Sequence, residues 1–250
     1  EWLIAVNEGE IARPYLDQIA AAFRKSKSAD LKDWTALFQY YARSGEYLSL
    51  FSQMSYLALE DRKALIQKSP ELMFPQPYFE IASQASTQFS VSTDFIYAIM
   101  RQESSFNPDA RSQMDAFGLM QLLPEVAART ASNHSIRYNE ADDLYDPSVN
   151  IPLGAAHLKE LLDRYKGEII LATASYNASE KAIHNWLLTR YRPHLASSTL
   201  HPTLEFIEDI PYDETRDYVK LVLRNFVTYQ MLTARERAIK FPDWTLALSK

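Results

Sequence analysis

The chain has 250 residues, of which 47% are hydrophobic, 23% are charged and only five are glycine, so its composition excludes disordered and collagen-like proteins. A net charge of −6 argues against a general nucleic-acid binder, which normally presents a basic face. The lack of cysteine excludes disulfides and thiolate chemistry, and no apolar stretch reaches the length of a membrane span.

The first 75 residues show apolar positions at helical spacing and predict helices over 4–26, 30–44 and 46–68. Gly45 and Ser69-Pro70 are typical helix stops. Two apolar stripes favour helical hairpins whose aromatic side chains form a core rather than a ligand site. The first stripe is Trp34, Leu37, Phe38 and Tyr41, and the second is Tyr47, Leu50, Phe51 and Met54.

The segment Phe74-Pro-Gln-Pro77 predicts a domain boundary, because two prolines in four residues interrupt a helix and favour an extended connector. We therefore expect a helical scaffold over 1–75, a second domain over 76–235 and a tail over 236–250. Strand-like alternation is scarce, so the fold class is all-α. Helices are predicted in the second domain over 78–90, 92–105, 124–132, 148–166, 168–178, 179–191 and 213–237, with a loop over 192–203.

Glu103 is an acid at the end of an apolar helix. It follows Ile96, Ile99 and Met100 at helical spacing, so its carboxylate shares the stripe that faces the core. Ser92-Thr93-Asp94 is typical of a capped helix start, and Asn107-Pro108 of a helix end. The negative end of the helix dipole and partial burial both favour the protonated form and raise the pKa of Glu103. Such an acid can serve as a general acid near neutral pH.

Two further segments place polar residues within apolar runs. Tyr176 and Asn177 end a helix of small residues, and five acids fall between Phe206 and Val219. Asp213 and Asp217 are explained as first-turn acids that stabilise the N-terminus of the last helix. Glu208 precedes Pro211, outside that turn, and needs another explanation.

These segments, with others, resemble the catalytic domain of soluble lytic transglycosylases, lysozyme-like enzymes of the glycoside hydrolase family 23 type that cleave peptidoglycan glycan strands. The resemblance covers about residues 76–235 and rests on five motifs that occur in the family's order. They are the Glu-Ser-Ser-Phe-Asn-Pro run from Glu103, Gly118-Leu-Met-Gln-Leu-Leu-Pro124, Tyr145-Asp-Pro-Ser-Val-Asn-Ile151, Ala174-Ser-Tyr-Asn-Ala178 and Ile207-Glu-Asp-Ile-Pro-Tyr-Asp-Glu-Thr-Arg-Asp-Tyr-Val219.

The resemblance implies a lysozyme-like catalytic lobe, with residues 1–75 as a shortened part of a supporting helical superhelix. Glu103 matches the single catalytic acid/base. Ser112, Gln121, Tyr176 and Glu208 match family positions that line the groove and hold sugar or peptide groups. We also expect Asp115, Leu123 and Asn177 to bind the substrate.

The implied reaction cleaves the β-1,4 link between N-acetylmuramic acid and N-acetylglucosamine. Glu103 protonates the leaving oxygen, and its carboxylate then takes the proton of the muramic C6 hydroxyl, which closes a 1,6-anhydro ring. This scheme needs neither a metal nor the second carboxyl, about 5–5.5 Å away, that retaining hydrolysis uses. Three alternatives stay open: a hydrolytic muramidase with the same acid, an inactive wall-binding module, and a Glu103 that merely forms a salt bridge to Arg101 or another base.

The sequence departs from the family pattern at two positions where glycine is usual. Asp115 and Ser179 occupy them. Aspartate tolerates the left-handed backbone that glycine often serves, so Asp115 can be a structural substitute. Alternatively, its charge favours a cationic amino sugar, such as de-N-acetylated glucosamine, through a charge-assisted hydrogen bond.

We expect no cofactor and no metal. No GxGxxG or P-loop is present, and the histidines show no HExxH or comparable pattern. The histidines are His134, His157, His184, His194 and His201. Peptidoglycan strands are the expected partner, with no nucleic acid. The implied substrate places the protein in the periplasm or elsewhere outside the cytoplasm, and we expect that an export signal has been removed ahead of Glu1. The sequence decides neither the oligomeric state nor exo against endo cleavage.

Overall fold

The computed structural model describes residues 9–26, 29–191 and 206–233. The described residues form an all-α fold, as predicted, and their only extended pairing is two isolated antiparallel bridges, which join Phe117 to Arg111 and to Leu122. The helices are α1 Gly9–Ser26, α2 Leu31–Arg43, α3 Tyr47–Met54, α4 Leu59–Lys68, α5 Pro70–Met73, α6 Phe79–Phe89, α7 Thr93–Ser104, α8 Pro124–His134, α9 Pro147–Arg164, α10 Ile169–Asn177, α11 Glu180–Trp186 and α12 Asp213–Thr233, with a 3₁₀ helix at Ala141–Tyr145 and a π-helical turn at Leu187–Tyr191.

Helices α1 to α5 enclose their own core. The predicted stripe Trp34, Leu37, Phe38 and Tyr41 is entirely buried there, so its assignment to the core is confirmed. In the second stripe Leu50 and Met54 are buried, whereas Tyr47 and Phe51 are half-buried and pack against the core of the following helices. The division of the chain into domains stays a prediction.

The single helix predicted over 46–68 is wrong, because the chain breaks it between Met54 and Leu59. Leu57 turns its buried side chain into the first core. The N–H groups of Tyr56 and Leu57 bond to carbonyls three residues back, at Gln53 and Met54, a tightening typical of a helix end. An apolar period that continues across such a turn hides it from sequence inspection.

In the group α6 to α12, helix α7 is buried along most of its length and packs against α6 and α12. Helix α12 packs against α7 and α10, and α9 packs against α6, α8 and α10. Ser92 precedes α7, but its hydroxyl makes no capping hydrogen bond, so that detail of the prediction is wrong. The aspartate of the predicted acidic first turn, Asp94, instead accepts a hydrogen bond from Thr233 at 3.2 Å, at the end of α12.

None of the described helices is at once long and apolar enough to cross a lipid bilayer. The predicted loop over 192–203, with His194 and His201, and the predicted tail over 236–250 lie outside the described residues.

Candidate active site

Glu103 lies in the last turn of α7, and the chain leaves the helix immediately after it. Ser105 and Phe106 both adopt left-handed backbone conformations, with φ of 50° and 66°, and Phe106 is buried. Ile96 and Ile99, on the stripe predicted from the sequence, are fully buried. The Glu103 side chain is therefore anchored from the core side and is itself half-buried.

In the part of the chain that the structure describes, the Glu103 carboxyl has one side-chain hydrogen-bond partner, Tyr218 of α12, whose hydroxyl donates to Oε1 at 2.5 Å. Burial raises the pKa of Glu103 to about 7, and the negative charge of Glu214 acts in the same direction, while the Tyr218 hydrogen bond opposes both. The direction agrees with the prediction from the sequence. Glu103 is thus an acid that changes protonation state near neutral pH.

Arg101, the basic residue considered as a salt-bridge partner for Glu103, is occupied elsewhere. Its guanidinium lies 4.0 Å from the ring centre of Phe51 and 4.6 Å from that of Phe74. Burial lowers the pKa of Arg101 to about 10, which still leaves it charged at neutral pH. Within the described ranges Glu103 forms no ion pair, so the salt bridge to Arg101 is not formed.

Tyr176, at the end of α10, is the second tyrosine near the acid. Its hydroxyl donates to the Met120 carbonyl at 2.8 Å. Burial raises the pKa of the Tyr176 phenol well above its usual range, and the charge of Glu103 raises it further. Glu103, Tyr176 and Tyr218 therefore form one electrostatically coupled group contributed by three helices.

The loop between α7 and α8 is held by Asn150 of α9. The Asn150 side chain accepts from the Met120 N–H at 2.9 Å and donates to the carbonyls of Phe117 and Leu144 at 2.9 and 2.8 Å. Gly118 has φ 73°, and a Cβ atom there would meet the Leu144 carbonyl oxygen at 2.1 Å. Only glycine fits so close an approach.

Two of the predicted substrate-binding residues organise this same loop. Gln121, with φ 46°, donates from Nε2 to the carbonyls of Ala110 and Gly118 at 3.0 and 2.9 Å. The Ser112 hydroxyl accepts from the N–H groups of Met114 and Ala116 at 3.2 and 3.0 Å. Both side chains therefore shape the loop, and contact with a substrate stays a prediction.

The two departures from the family pattern have local structural explanations. Asp115 has φ 57° and forms an ion pair with Arg111 at 2.7 Å, so it occupies the left-handed conformation that glycine would adopt. Ser179 precedes α11, and its hydroxyl accepts from the Ala182 N–H at 3.2 Å as a helix cap.

The other predicted residues lie at different places. Asn177 accepts from the Thr215 hydroxyl at 2.7 Å and joins the end of α10 to the start of α12. Leu123 is half-buried at the N-cap position of α8. Glu208 is exposed and paired with Lys220 at 2.8 Å. Among the described residues these three side chains form no hydrogen bond or ion pair with Glu103, and their substrate roles stay predictions.

Tyr218 and Asn150 are site residues that sequence reasoning missed. Both lie within the quoted motifs, but helical spacing by itself predicts that Tyr218 packs in the core, four residues before Val222. Because a tyrosine on an apolar stripe usually packs, only the approach of α12 to α7 reveals that its hydroxyl meets the acid.

Comparison with known proteins supports the motif-based resemblance. Residues 80–196 match the family model "Transglycosylase SLT domain". A Haemophilus influenzae protein, named as a soluble lytic murein transglycosylase, is 41% identical over 165 residues, 66% of this chain and 27% of that protein. The soluble lytic murein transglycosylase of Salmonella typhimurium is 32% identical over 170 residues, 68% of this chain and 25% of its own length.

Solved structures extend the similarity to nearly the whole chain. An inactive mutant of the lytic transglycosylase Slt from Pseudomonas aeruginosa has a TM-score of 0.72 and 30% identity, covering 96% of this chain and 36% of that one. The 70 kDa soluble lytic transglycosylase of Escherichia coli has a TM-score of 0.71 and 26% identity, covering 92% and 34%. The chain thus spans about a quarter of the curated relatives and a third of the solved chains. Its residues 80–196, with Glu103 and Tyr176 among them, belong to the SLT transglycosylase domain family.

Proposed function

We propose that this protein cleaves the β-1,4 link between N-acetylmuramic acid and N-acetylglucosamine in peptidoglycan, as a lytic transglycosylase, with Glu103 as the single general acid/base. The observation that carries the proposal is a half-buried carboxyl that forms no ion pair with any described residue and whose pKa is raised to about 7. The proposed substrate implies work outside the cytoplasm, in the periplasm or an equivalent space.

In the first step Glu103 donates its proton to the glycosidic oxygen as that bond breaks. Tyr218 donates to Oε1, so the acidic proton resides on Oε2, and this oxygen must face the leaving group. The 2-acetamido carbonyl of the muramic sugar helps stabilise the developing cation. In the second step the Glu103 carboxylate removes the C6 hydroxyl proton while that oxygen bonds to C1. The acid is regenerated, and no water is consumed.

Proton transfer of this kind contributes about 10²–10⁴ to the rate. Tyr218 serves both steps, because it orients the acid in the first and stabilises the carboxylate in the second. Its hydrogen bond also keeps the pKa of Glu103 from rising further.

A hydrolytic muramidase is the second candidate, and Glu214 is the observation that favours it. Its charge acts on Glu103 from the exposed first turn of α12. A carboxylate at that place can orient a water molecule towards C1. Mass spectrometry of the released muropeptides separates the two reactions, because 1,6-anhydro ends lack one water relative to reducing ends.

The finer proposal concerns a preference for de-N-acetylated strands through Asp115. The ion pair between Asp115 and Arg111 must open or be shared before this carboxylate can bind a cationic sugar, so we expect a small preference. Digestion of native and chemically deacetylated peptidoglycan measures it. Equal or faster cleavage of the acetylated wall removes this part of the proposal and leaves the reaction itself untouched.

The deciding experiment follows the turbidity of purified sacculi with the wild-type protein, Glu103→Gln and Glu60→Gln. Glu60 is an exposed glutamate of α4, paired with Lys63, and serves as a matched control for the same substitution. We expect Glu103→Gln to lose at least about 10²-fold in rate and the control to keep the wild-type rate. If Glu103→Gln clears sacculi as fast as the wild type, the acid/base proposal fails. If neither the wild type nor Glu103→Gln clears sacculi but both proteins bind them, the chain is an inactive wall-binding module.

A further inference from the structure

Helix α9 presents one face to the loop and the tyrosine that surround the proposed acid. Asn150, Gly154 and His157 lie at i, i+4 and i+7 on this face. Asn150 holds the loop backbone, and Gly154 lies so close to Met120 that a Cβ atom would meet Sδ at 2.2 Å. His157 continues the face to the ring of Tyr176, with the two ring centres 5.4 Å apart.

His157 is held from its other side by Glu160, the carboxylate one turn further along α9. Nδ1 of His157 lies 3.5 Å from Oε2 of Glu160. The same carboxylate accepts from Asn133 at 2.9 Å and lies 3.3 Å from Nε2 of His134, both on α8. Burial alone would raise the pKa of Glu160, but the hydrogen bonds from Asn133 and His157 outweigh burial and lower it. Glu160 is therefore ionised at neutral pH and serves as a fixed hydrogen-bond acceptor for His157.

We propose that His157 is a positioning residue for Tyr176, held by Glu160 in the tautomer that carries its proton on Nδ1. Because an ionised carboxylate only accepts hydrogen bonds, the Nδ1 atom that faces it must be the donor. The imidazole then has one orientation, and its ring limits how far the Tyr176 ring can move away from the loop.

This contact matters because, among the described residues, Tyr176 makes one side-chain hydrogen bond, to the Met120 carbonyl. The rest of its support is packing against the core and against the ring of His157, which is only 9% exposed. A swing of Tyr176 would alter the surroundings of Glu103, with which it interacts electrostatically. The inference rests on the proposed function for its kinetic consequence, but not for its geometry.

The test compares His157→Ala with His134→Ala on soluble, uncrosslinked glycan strands. His134 contacts the same carboxylate, but its ring packs edge-on against Phe89, so it is a matched control. A misplacement of about 1 Å costs up to about 10²-fold in rate. We expect His157→Ala to lower the initial rate about tenfold and His134→Ala to change it by less than about twofold. His157→Phe, which keeps a ring against Tyr176 but lacks Nδ1, should fall between them and guards against a cavity that unfolds the protein.

A double-mutant cycle separates positioning from plain structural support. If His157 acts through the Tyr176 hydroxyl, His157→Ala should cost less than about twofold in a Tyr176→Phe background. The inference fails if His157→Ala lowers the rate by the same factor in the wild-type and Tyr176→Phe backgrounds. It also fails if His157→Ala and His134→Ala have equal rates.

Should the wild-type protein release no fragments, the proposed function fails and crystal structures of the two variants still decide the inference. The expected result is that the hydrogen bond from the Tyr176 hydroxyl to the Met120 carbonyl is absent in His157→Ala and present in His134→Ala. A hydroxyl still 2.8 Å from that carbonyl in His157→Ala contradicts the positioning role.

Discussion

Two glutamates of the same group of helices, Glu103 and Glu160, have pKa values shifted in opposite directions. Both are half-buried, so burial by itself favours the neutral form of each. Among the described residues Glu103 receives one side-chain hydrogen bond, from Tyr218, and its pKa is raised to about 7 chiefly by burial. Glu160 is less deeply buried and is contacted by hydrogen-bond donors from two helices, and its pKa is lowered. Deeper burial and fewer donors therefore act together to make Glu103 the acid, whereas Glu160 stays ionised.

The first helices provide a second contrast. Apart from tyrosines, every described polar side chain that is buried lies beyond residue 103, and they include Asn150, His157 and Asn225. The core of α1 to α5 is apolar and aromatic, with Phe38 and Leu50 fully buried. Buried polar groups are costly unless they are hydrogen-bonded, so their concentration around α7, α9 and α12 marks the part of the chain organised for chemistry.

After the loss of the acid itself, the largest expected effect comes from removing the Tyr218 hydroxyl group, which donates a hydrogen bond to Glu103. Tyr218→Phe should lower the rate of wall cleavage about tenfold or more, because a hydrogen bond to a charged group is worth about 1.5–3 kcal/mol. Wild-type activity should fall as the pH rises through about 7, where Glu103 loses its proton. In the variant this alkaline limb should move to higher pH, because the lost bond had lowered the pKa of Glu103.

The matched control for this pH–rate experiment is Tyr229→Phe. Tyr229 is another buried tyrosine of α12, and its hydroxyl donates to the Pro75 carbonyl at 2.9 Å. This variant should leave the alkaline limb in place. An alkaline limb that stays put or moves to lower pH in Tyr218→Phe contradicts the assigned hydrogen bond.

The next effect is on stability and has a sign that distinguishes the two glutamates. Between pH 4.5 and about 7 the folded state binds more protons at Glu103 than the unfolded state, so this residue costs stability as the pH rises. Glu103→Gln should therefore be more stable than the wild type at pH 8, by roughly 1–3 kcal/mol, with a smaller difference at pH 4. Urea unfolding at both pH values measures the difference. An equal difference at both pH values would show that folding does not change the pKa of Glu103.

Glu160→Gln should show the opposite dependence. Since the folded pKa of Glu160 lies below the unfolded value, its charge stabilises the fold above about pH 4.5 and stops doing so as the pH falls through the lowered value. We expect the substitution to destabilise the protein at pH 7 by about 1 kcal/mol, and by less below pH 4. A destabilisation that grows on acidification would contradict the anchoring role of this carboxylate.

The smallest effect concerns Asp115, an exposed carboxylate whose backbone rather than its charge explains its place. Asp115→Gly should leave the free energy of unfolding nearly unchanged, because glycine adopts φ 57° without strain. Asp115→Val should cost about 1 kcal/mol or more, since a β-branched side chain tolerates this region poorly. Thermal unfolding of the two variants measures the difference. Equal losses in both would assign the residue's contribution to its ion pair with Arg111 instead.

The sequence alone predicted the all-α class, most helix positions and the placement of Glu103 on an apolar stripe, because each depends on short-range periodicity. The five ordered motifs indicated the family, and comparison confirmed the match over residues 80–196. The break between Met54 and Leu59 was missed, since an apolar period runs through a turn that only the first core explains.

Only the tertiary structure decided how the acid is tuned. Tyr218 lies 115 residues from Glu103, and Glu160 is contacted from a neighbouring helix by Asn133 and His134. Such contacts depend on how helices pack, whereas helical periodicity specifies only which face of each helix is buried. The sequence by itself therefore determined which side chains turn inward, and the packing of α7, α9 and α12 determined which of them meet.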